Sequence, residues 1–232
     1  MTVQAQNVQI KQSRKGFTSF YSKGEEIFNA VSHIVGGALG LAALITLIYF
    51  SYPNSAQTAA VAVFSLSVIV LYTMSALYHF LPSGRAQGRA KTVFRIFDHC
   101  TIFLLIAGTY TPYCVIALGG MTLGTVILAV EWTCAALGIV LNAVAMNRKF
   151  VKILSMVFYI VMGWLLGFGL GILPQYISGP SIWLLISGGI AYTAGIGFFA
   201  FGKKVPYFHG VWHLFVLAGT ALQFASILMM IL

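Results

Sequence analysis

The chain has 232 residues, of which 59% are hydrophobic and only 7% are charged. Soluble domains carry about a quarter charged residues, so this composition excludes an ordinary soluble fold and indicates a polytopic membrane protein. The formal net charge of +9 does not require nucleic acid as a partner, because basic residues in short loops also fix the orientation of membrane proteins. We therefore expect membrane lipids as partners and no nucleic acid, and the sequence leaves the oligomeric state open.

The distribution of apolar residues predicts an all-α membrane protein, a bundle of seven transmembrane helices. Residues 1–23 form a polar, basic tail, and residues 24–232 form the transmembrane domain. A span needs about 20 apolar residues, and the first apolar run is too long for a cleavable signal peptide. Seven segments qualify as spans: Ile27–Phe50, Thr58–Phe80, Phe94–Leu118, Leu123–Met146, Val151–Leu173, Ser181–Phe201 and Phe208–Leu232.

The basic residues alternate between successive connections of this predicted bundle. All 13 lysines and arginines precede the first span or follow the second, fourth and sixth spans. Positive residues mark the cytoplasmic side of a membrane protein. We therefore expect the tail in the cytoplasm, the C-terminus outside, and a multi-pass protein of the cell membrane.

Five polar residues lie at the same predicted depth in this apolar chain. Ser75 and His79 end span two, Asp98 begins span three, and His209 and His213 begin span seven. Residues four apart share a helix face, and ionisable groups at membrane depth usually have a function.

Three imidazoles and a water form the open tetrahedral site that is typical of catalytic zinc. The three histidines are therefore candidate ligands of Zn²⁺, although imidazole also suits other transition metals. In the alternative interpretation, each histidine lies at a helix end and makes a local hydrogen bond.

The two remaining polar residues are candidate catalytic groups. Asp98 has two possible roles: it acts as general base on a water at the metal, or it orients a histidine ligand. Ser75 donates a hydrogen bond to the developing oxyanion, or holds Asp98 or the water in place.

Three other polar residues receive structural interpretations. We expect His33 to hydrogen-bond with Asn29 or a neighbouring helix, with a place beside the site as the alternative. His99 follows Asp98 and points about 100° away from it on a helix, so we expect a packing role. Glu131 lies in the outer half of span four. We expect Ser, Thr or Tyr groups to satisfy it, and a role in ion movement is the alternative.

Glycines repeat at four-residue intervals in two spans. Gly36 and Gly40 lie on span one, and Gly163, Gly167 and Gly171 lie on span five. Small residues at this spacing allow close helix packing in membranes. We expect such packing at both places.

Four segments resemble the progestin and adipoQ receptor (PAQR) family. Ser75–His79 resembles its SxxxH motif, Asp98–Tyr113 its third-span motif, and His209–Phe215 its HxxxH motif. Gly24–His33 is similar to the bacterial branch, called hemolysin III. The likeness covers all seven spans, and its pattern extends to a wider group of membrane hydrolases that includes the alkaline ceramidases.

The resemblance implies a seven-helix bundle with its N-terminus inside and zinc held by three histidines near the cytoplasmic face. It also implies that Asp98 contacts the metal or the water on it. It favours hydrolysis of a lipid amide. The large N-terminal domain of the animal receptors has no counterpart in this sequence, so hormone sensing does not follow.

Three functional hypotheses result. The leading one is a zinc-dependent, ceramidase-like membrane hydrolase that takes a lipid amide or ester from the inner leaflet and serves membrane lipid homeostasis. The second is a lipid or membrane-state sensor whose zinc is structural, with Asp98 closing a four-ligand site. The third is a cytolytic, hemolysin-like pore protein in which Glu131 matters.

Overall fold

Seven helices long and apolar enough to cross a membrane lie within residues 21–82 and 88–232, the parts of the chain that the computed structural model describes. Their α-helical parts are α1 (Lys23–Ser51), α2 (Ser55–Phe80), α3 (Gly88–Pro112), α4 (Thr122–Ala145), α5 (Lys149–Gly163), α6 (Gly179–Phe201) and α7 (Phe208–Ile231). The third span continues to Ala117 and the fifth to Gly169. The predicted all-helical, seven-span architecture is confirmed. Residues 1–20 of the predicted tail lie outside the described residues.

A capping box starts α1 four residues before the apolar run. The Glu25 amide donates to Ser22 Oγ at 3.3 Å, and the Ser22 amide donates to Glu25 Oε2 at 2.9 Å. These bonds satisfy two amides that a helix start leaves without intrahelical partners. The cap thereby adds a polar first turn, which carries Glu26, to the apolar helix.

The third span is the most buried one, and α3 packs against α2, α4 and α5. Consecutive helices α1 to α3 pack against each other, α6 packs on α7, and α7 packs back on α1. Short connections make neighbouring helices antiparallel. The start of α1, the end of α2 and the starts of α3, α5 and α7 therefore share one end, which we call the basic end because the lysines and arginines lie there.

Span five differs from its prediction. The α-helix stops at Gly163, and the chain continues as short 3₁₀ segments over Leu165–Gly169 and Leu173–Gln175. Glycine weakens a helix and proline cannot continue one, and this stretch is rich in glycine and contains Pro174. A Cβ placed on Gly163, Gly167 or Gly171 would meet nothing within 4 Å, so the prediction of close helix packing there was wrong.

The glycine pair on α1 packs as predicted. A Cβ on Gly36 would lie 2.8 Å from the Leu217 side chain and 2.8 Å from the Tyr72 ring, and one on Gly40 would lie 3.0 Å from Val68. These glycines let α2 and α7 approach α1 closely. That approach brings the N-terminal turns of α1 next to the histidines of α2 and α7.

Candidate metal centre and adjoining cavity

The three predicted histidines meet at the basic end. His209 Nε2 lies 3.3 Å from His79 Nε2 and 3.2 Å from His213 Nε2. All three side chains are buried, and each offers a ligand atom within 4.8 Å of the other two. The prediction that these three residues converge is confirmed.

The spacing of these nitrogens fits one small cation. Nitrogen ligands lie about 2.0–2.1 Å from zinc, so two corners of a tetrahedral site are about 3.3 Å apart. Both measured separations equal this value to within about 0.1 Å. The cluster therefore has the dimensions of a site for a tetrahedral metal ion.

The far nitrogen of His79 is held by a carboxylate. His79 Nδ1 donates to Glu26 Oε2 at 2.7 Å, and Lys91 Nζ donates to Glu26 Oε1 at 2.7 Å. A carboxylate on the second ring nitrogen fixes the tautomer of a ligand histidine and increases its basicity. His79 consequently presents the lone pair of Nε2 to the cluster.

Ser32 fixes His213 in the same way. The Ser32 hydroxyl donates its single proton to the Asn29 carbonyl at 2.9 Å, and its oxygen lies 3.1 Å from His213 Nδ1. His213 Nδ1 is therefore the donor in that contact, and its Nε2 carries a lone pair. Two lone pairs thus point at the third histidine, an arrangement that a shared cation satisfies.

Two contacts position the third ligand. The Tyr207 amide, next to the start of α7, donates to Glu25 Oε1 at 2.9 Å. The ring of Tyr21 stacks on His209 with 4.7 Å between ring centroids. Tyr21 is buried, and burial raises the pKa of its hydroxyl above the ordinary value, so a neutral aromatic ring covers this side of the cluster.

Asp98 and Ser75 lie outside the three-histidine group. Asp98 is buried, lines a cavity and approaches His99 Nδ1 at 3.7 Å. Ser75 Oγ is buried and has no hydrogen-bond partner among the described residues. Because Glu26 and Ser32 orient two of the histidines, that role does not fall to Asp98 for those two ligands.

His33 differs from its prediction. Neither of its ring nitrogens has a hydrogen-bond partner in the described parts of the chain. Instead, the ring stacks on His213 with centroids 3.6 Å apart and lines the cavity. Its position beside the site, the alternative interpretation, is the one that the structure shows.

Glu131 also differs from its prediction. Its side chain is fully buried in α4, and neither carboxyl oxygen has a hydrogen-bond partner within residues 21–82 and 88–232. The expectation that a hydroxyl group satisfies it was wrong. It lies in the half of α4 that is away from the basic end.

An apolar cavity adjoins the candidate metal centre. It contains about 1020 Å³ of atom-free space, including its open mouth, and its wall includes His33, Asp98 and Trp212. The three clustered histidines are not in the wall, but the Trp212 ring lies 5.0 Å from that of His209. Along α7 the wall runs from Trp212 to Gln223, about 16 Å of helix. This length suits a hydrocarbon chain.

The cavity reaches the gap between α5 and α6. These two helices make few direct contacts, and Gly163, Trp164, Gly189 and Thr193 line the cavity there. Trp164 Nε1 donates to Thr193 Oγ1 at 3.1 Å across the gap. Trp164 and Thr193 are exposed, so this part of the cavity wall lies at the outer surface of the bundle.

Sequence reasoning missed two residues that support the cluster, Glu26 and Ser32. The sequence contains a pattern that could have indicated Glu26: residues Glu26, Asn29 and His33 are spaced to share one face of a helix. An acid at membrane depth on that face indicates a partner. Ser32 carried no comparable signal, since serines are common in membrane helices.

A family profile and two bacterial relatives place this chain among the same group of proteins. A family profile described as "Haemolysin-III related" matches residues 21–224. The chain is 40% identical to "Hemolysin-3" of Bacillus cereus over 210 residues, which cover 90% of this chain and 92% of that protein. It is 38% identical to "Hemolysin-3 homolog" of Bacillus subtilis (strain 168) over 206 residues, covering 88% and 93%.

A more distant similarity reaches animals. The chain is 24% identical to "Monocyte to macrophage differentiation factor" of Homo sapiens over 168 residues, which cover 71% of this chain and 67% of that protein.

Proposed function

Because the chain belongs to the haemolysin-III-related family within the PAQR superfamily, we propose that it is a zinc-dependent membrane hydrolase that cleaves a lipid amide or ester. One observation carries the proposal. Three histidine Nε2 atoms converge at the spacing of metal ligands, beside a cavity that is walled by a buried aspartate.

The donor set suits Zn²⁺. Two of the three imidazoles are fixed as neutral ligands through Glu26 and Ser32, and three nitrogen ligands leave the fourth position of catalytic zinc open. A closed site with Asp98 as fourth ligand was the arrangement expected for structural zinc, and Asp98 does not belong to the ligand group. This difference favours the enzyme over the sensor.

When bound, zinc supplies an acidified water and polarises a carbonyl oxygen. His79, His209 and His213 would hold this ion. Asp98 lines the cavity, where its carboxylate would accept a proton as general base and return it as general acid. Ser75 Oγ has no partner among the described residues and would donate a hydrogen bond to a carbonyl oxygen that gains negative charge.

The lipid enters from the side. The mouth between α5 and α6 admits an acyl chain from the bilayer without passage through water, and the apolar wall receives it. With the basic end in the cytoplasm, the scissile bond lies at the level of the inner leaflet. The product would be a free fatty acid, so a role in membrane lipid homeostasis follows.

The experiment measures metal content and lipid hydrolysis on the same set of variants. Wild type, His213→Ala, Asp98→Asn and Ser75→Ala are purified in detergent without chelator, and zinc per chain is measured. Hydrolysis of N-acylsphingosine and of an acyl ester in mixed micelles is then followed by mass spectrometry. We expect about one zinc in wild type, Asp98→Asn and Ser75→Ala, and loss of zinc in His213→Ala.

Turnover separates the hypotheses. We expect hydrolysis to fall at least about 100-fold in Asp98→Asn and about 10-fold or more in Ser75→Ala, since general bases and oxyanion donors contribute on that scale. Zinc retention without hydrolysis of either lipid class in the wild type would favour the sensor. Wild type without metal would contradict the proposal, and leakage of loaded liposomes by His213→Ala would favour a pore.

A further inference from the structure

Three cationic residues gather at the basic end, beneath the cavity. Arg95 lies in α3, Lys152 in α5 and Lys203 just after α6. The packing around His99 brings these elements together: Tyr159 of α5 donates to the His99 carbonyl at 3.0 Å, and Phe199 of α6 lies 6.1 Å from the His99 ring.

Helix geometry then places the cations on the same side. Arg95 lies one turn before His99, and Lys152 lies two turns before Tyr159. Lys203 follows Phe199 by one turn. Each of the three cations therefore lies closer to the basic end than the residue of its own element that packs at His99.

Their charges act on one another. Lys152 and Arg95, together with the larger effect of desolvation, lower the pKa of Lys203 below its ordinary value. Like charges disfavour protonation of an amine, so the direction of the shift agrees with three positive groups that lie close together.

The chain's own acids are used elsewhere. Of its four acidic residues, Glu25 caps α1, Glu26 binds Lys91 and His79, and Glu131 lies far away in α4. Asp98 lines the cavity. Arg95 and Lys152 make no ion pair among the described residues, so an anion from outside the chain would neutralise these two charges.

Arg95 is the best-defined member. Its Nη2 donates to Asn147 Oδ1 at 2.8 Å, which holds the guanidinium between α3 and the end of α4. Its Nε is buried and has no partner among the described residues. A guanidinium fixed in this way, with a donor left over, is suited to the oxygens of a phosphate group.

The cations are not in the cavity wall, which begins one to two helical turns further into the bundle. Ile102 of α3, Met156 of α5 and Phe199 of α6 line it there. A molecule with a phosphate at the cations would thus extend an acyl chain into the apolar space. Basic pockets between transmembrane helices bind anionic head groups in this manner.

We propose that Arg95, Lys152 and Lys203 form a binding site for the phosphate group of an anionic lipid whose acyl chain enters the cavity between α3, α5 and α6. The site holds this lipid whether or not the lipid is hydrolysed, so the inference does not rest on the proposed function.

The test compares two charge-neutralised variants. The site variant is Arg95→Gln, Lys152→Gln and Lys203→Gln together. The control variant is Arg148→Gln, Lys149→Gln and Lys204→Gln, which removes three neighbouring charges of the same end; Lys152 and Lys203 of the site are exposed like these three, and Arg95 is half-buried. Full-length proteins in neutral detergent are incubated with phosphatidic acid or with phosphatidylcholine of identical chains, and bound lipid is counted by native mass spectrometry. Circular dichroism checks that both variants keep their helices.

We expect wild type and control variant to bind phosphatidic acid at least about 10-fold more tightly than phosphatidylcholine, and the site variant to lose that preference. Equal losses in both variants would overturn the proposal, since the effect would then follow net charge alone. Displacement of the lipid by inorganic phosphate at equal concentration would also overturn it, because the site would then recognise free phosphate without needing a lipid chain.

Single substitutions of Arg95 test the proposal even if the triple site variant does not fold. Arg95→Lys keeps the charge but loses the planar fork of donors. We expect it to fold like wild type and to weaken the preference for phosphatidic acid measurably. An unchanged preference in Arg95→Lys and in Arg95→Gln would overturn the assignment of Arg95 to the site.

Discussion

The Glu26 carboxylate accepts hydrogen bonds from two side chains, His79 and Lys91. It therefore determines how firmly the candidate ligand His79 is held. One carboxyl oxygen accepts from His79 Nδ1 and the other from Lys91 Nζ, both at 2.7 Å. Lys91 also donates to the Leu81 carbonyl at 2.9 Å, just after the end of α2. The carboxylate thus joins α1 to α2 and α3 and aims the imidazole.

Replacement of Glu26 by Gln tests this role. Glutamine keeps the shape and an acceptor oxygen but loses the charge that makes the imidazole a better ligand. We expect zinc affinity to fall about 10–100-fold, as for other partners of metal ligands. Competition with a chelating dye on detergent-purified protein measures it.

Glu25→Gln is the comparison variant. Glu25 accepts from the backbone amides of Ser22 and Tyr207 and helps to position His209, but it does not contact His79, so we expect a smaller loss of zinc affinity than in Glu26→Gln. An equal loss in both variants would mean that the start of α1 acts as a whole, without a specific Glu26–His79 contact.

The site residues differ in whether the sequence alone could predict them. His79, His209 and His213 were predictable because polar groups at one membrane depth are rare, and the span count placed them together. Glu26 and Ser32 were not predicted, because their roles depend on which ring nitrogen they reach. His33 was assigned a hydrogen bond that it does not make, since stacking between rings leaves no trace in sequence spacing.

At the scale of elements, the glycines of α1 and of the segment after α5 look alike in sequence and differ in their surroundings. A Cβ on Gly36 would press against Tyr72 and Leu217. Gly167 lies in a 3₁₀ segment, and a Cβ added there would meet no other atom within 4 Å. The same residue type therefore serves packing in one element and the end of a helix in the other.

The substitutions Gly36→Ala and Gly167→Ala should consequently have different effects. Overpacking typically costs about 1–3 kcal/mol, so we expect Gly36→Ala to lower the Tm in detergent. Gly167→Ala should change the free energy of unfolding by no more than about 0.5 kcal/mol. Thermal unfolding followed by circular dichroism compares them, and a larger loss in Gly167→Ala would contradict this account of the two sites.

The length and number of the helices were predictable from hydropathy, because the thickness of a bilayer sets the length of each span. The early end of α5 was not predicted, since an apolar run rich in glycine has the hydropathy of a span without the helix propensity. Gly163 and Trp164, at that early end, line the cavity, so this part of the cavity wall was beyond what the pattern of apolar residues could reveal.

At the scale of the whole molecule, the alternation of charge predicts the orientation. Every described lysine and arginine lies at the basic end, and we expect this end in the cytoplasm. Alkaline phosphatase fused after Leu232 should be active, because it folds only outside the cytoplasm, and a fluorescent protein fused there should be dark. Fusions within the connection after Gly202 should give the reverse result. Fluorescence at Leu232 would contradict the predicted orientation.

The candidate ligands come from the second and the seventh helices, and the groups that orient two of them come from the first. Helices of a polytopic protein enter the membrane in order of synthesis, so His79 and Glu26 are in place long before His209 and His213 leave the ribosome. Any ion held by all three histidines is therefore acquired only after α7 has left the ribosome. A chain that terminates before α7 lacks two of its three ligands, which makes metal occupancy a marker of an assembled bundle.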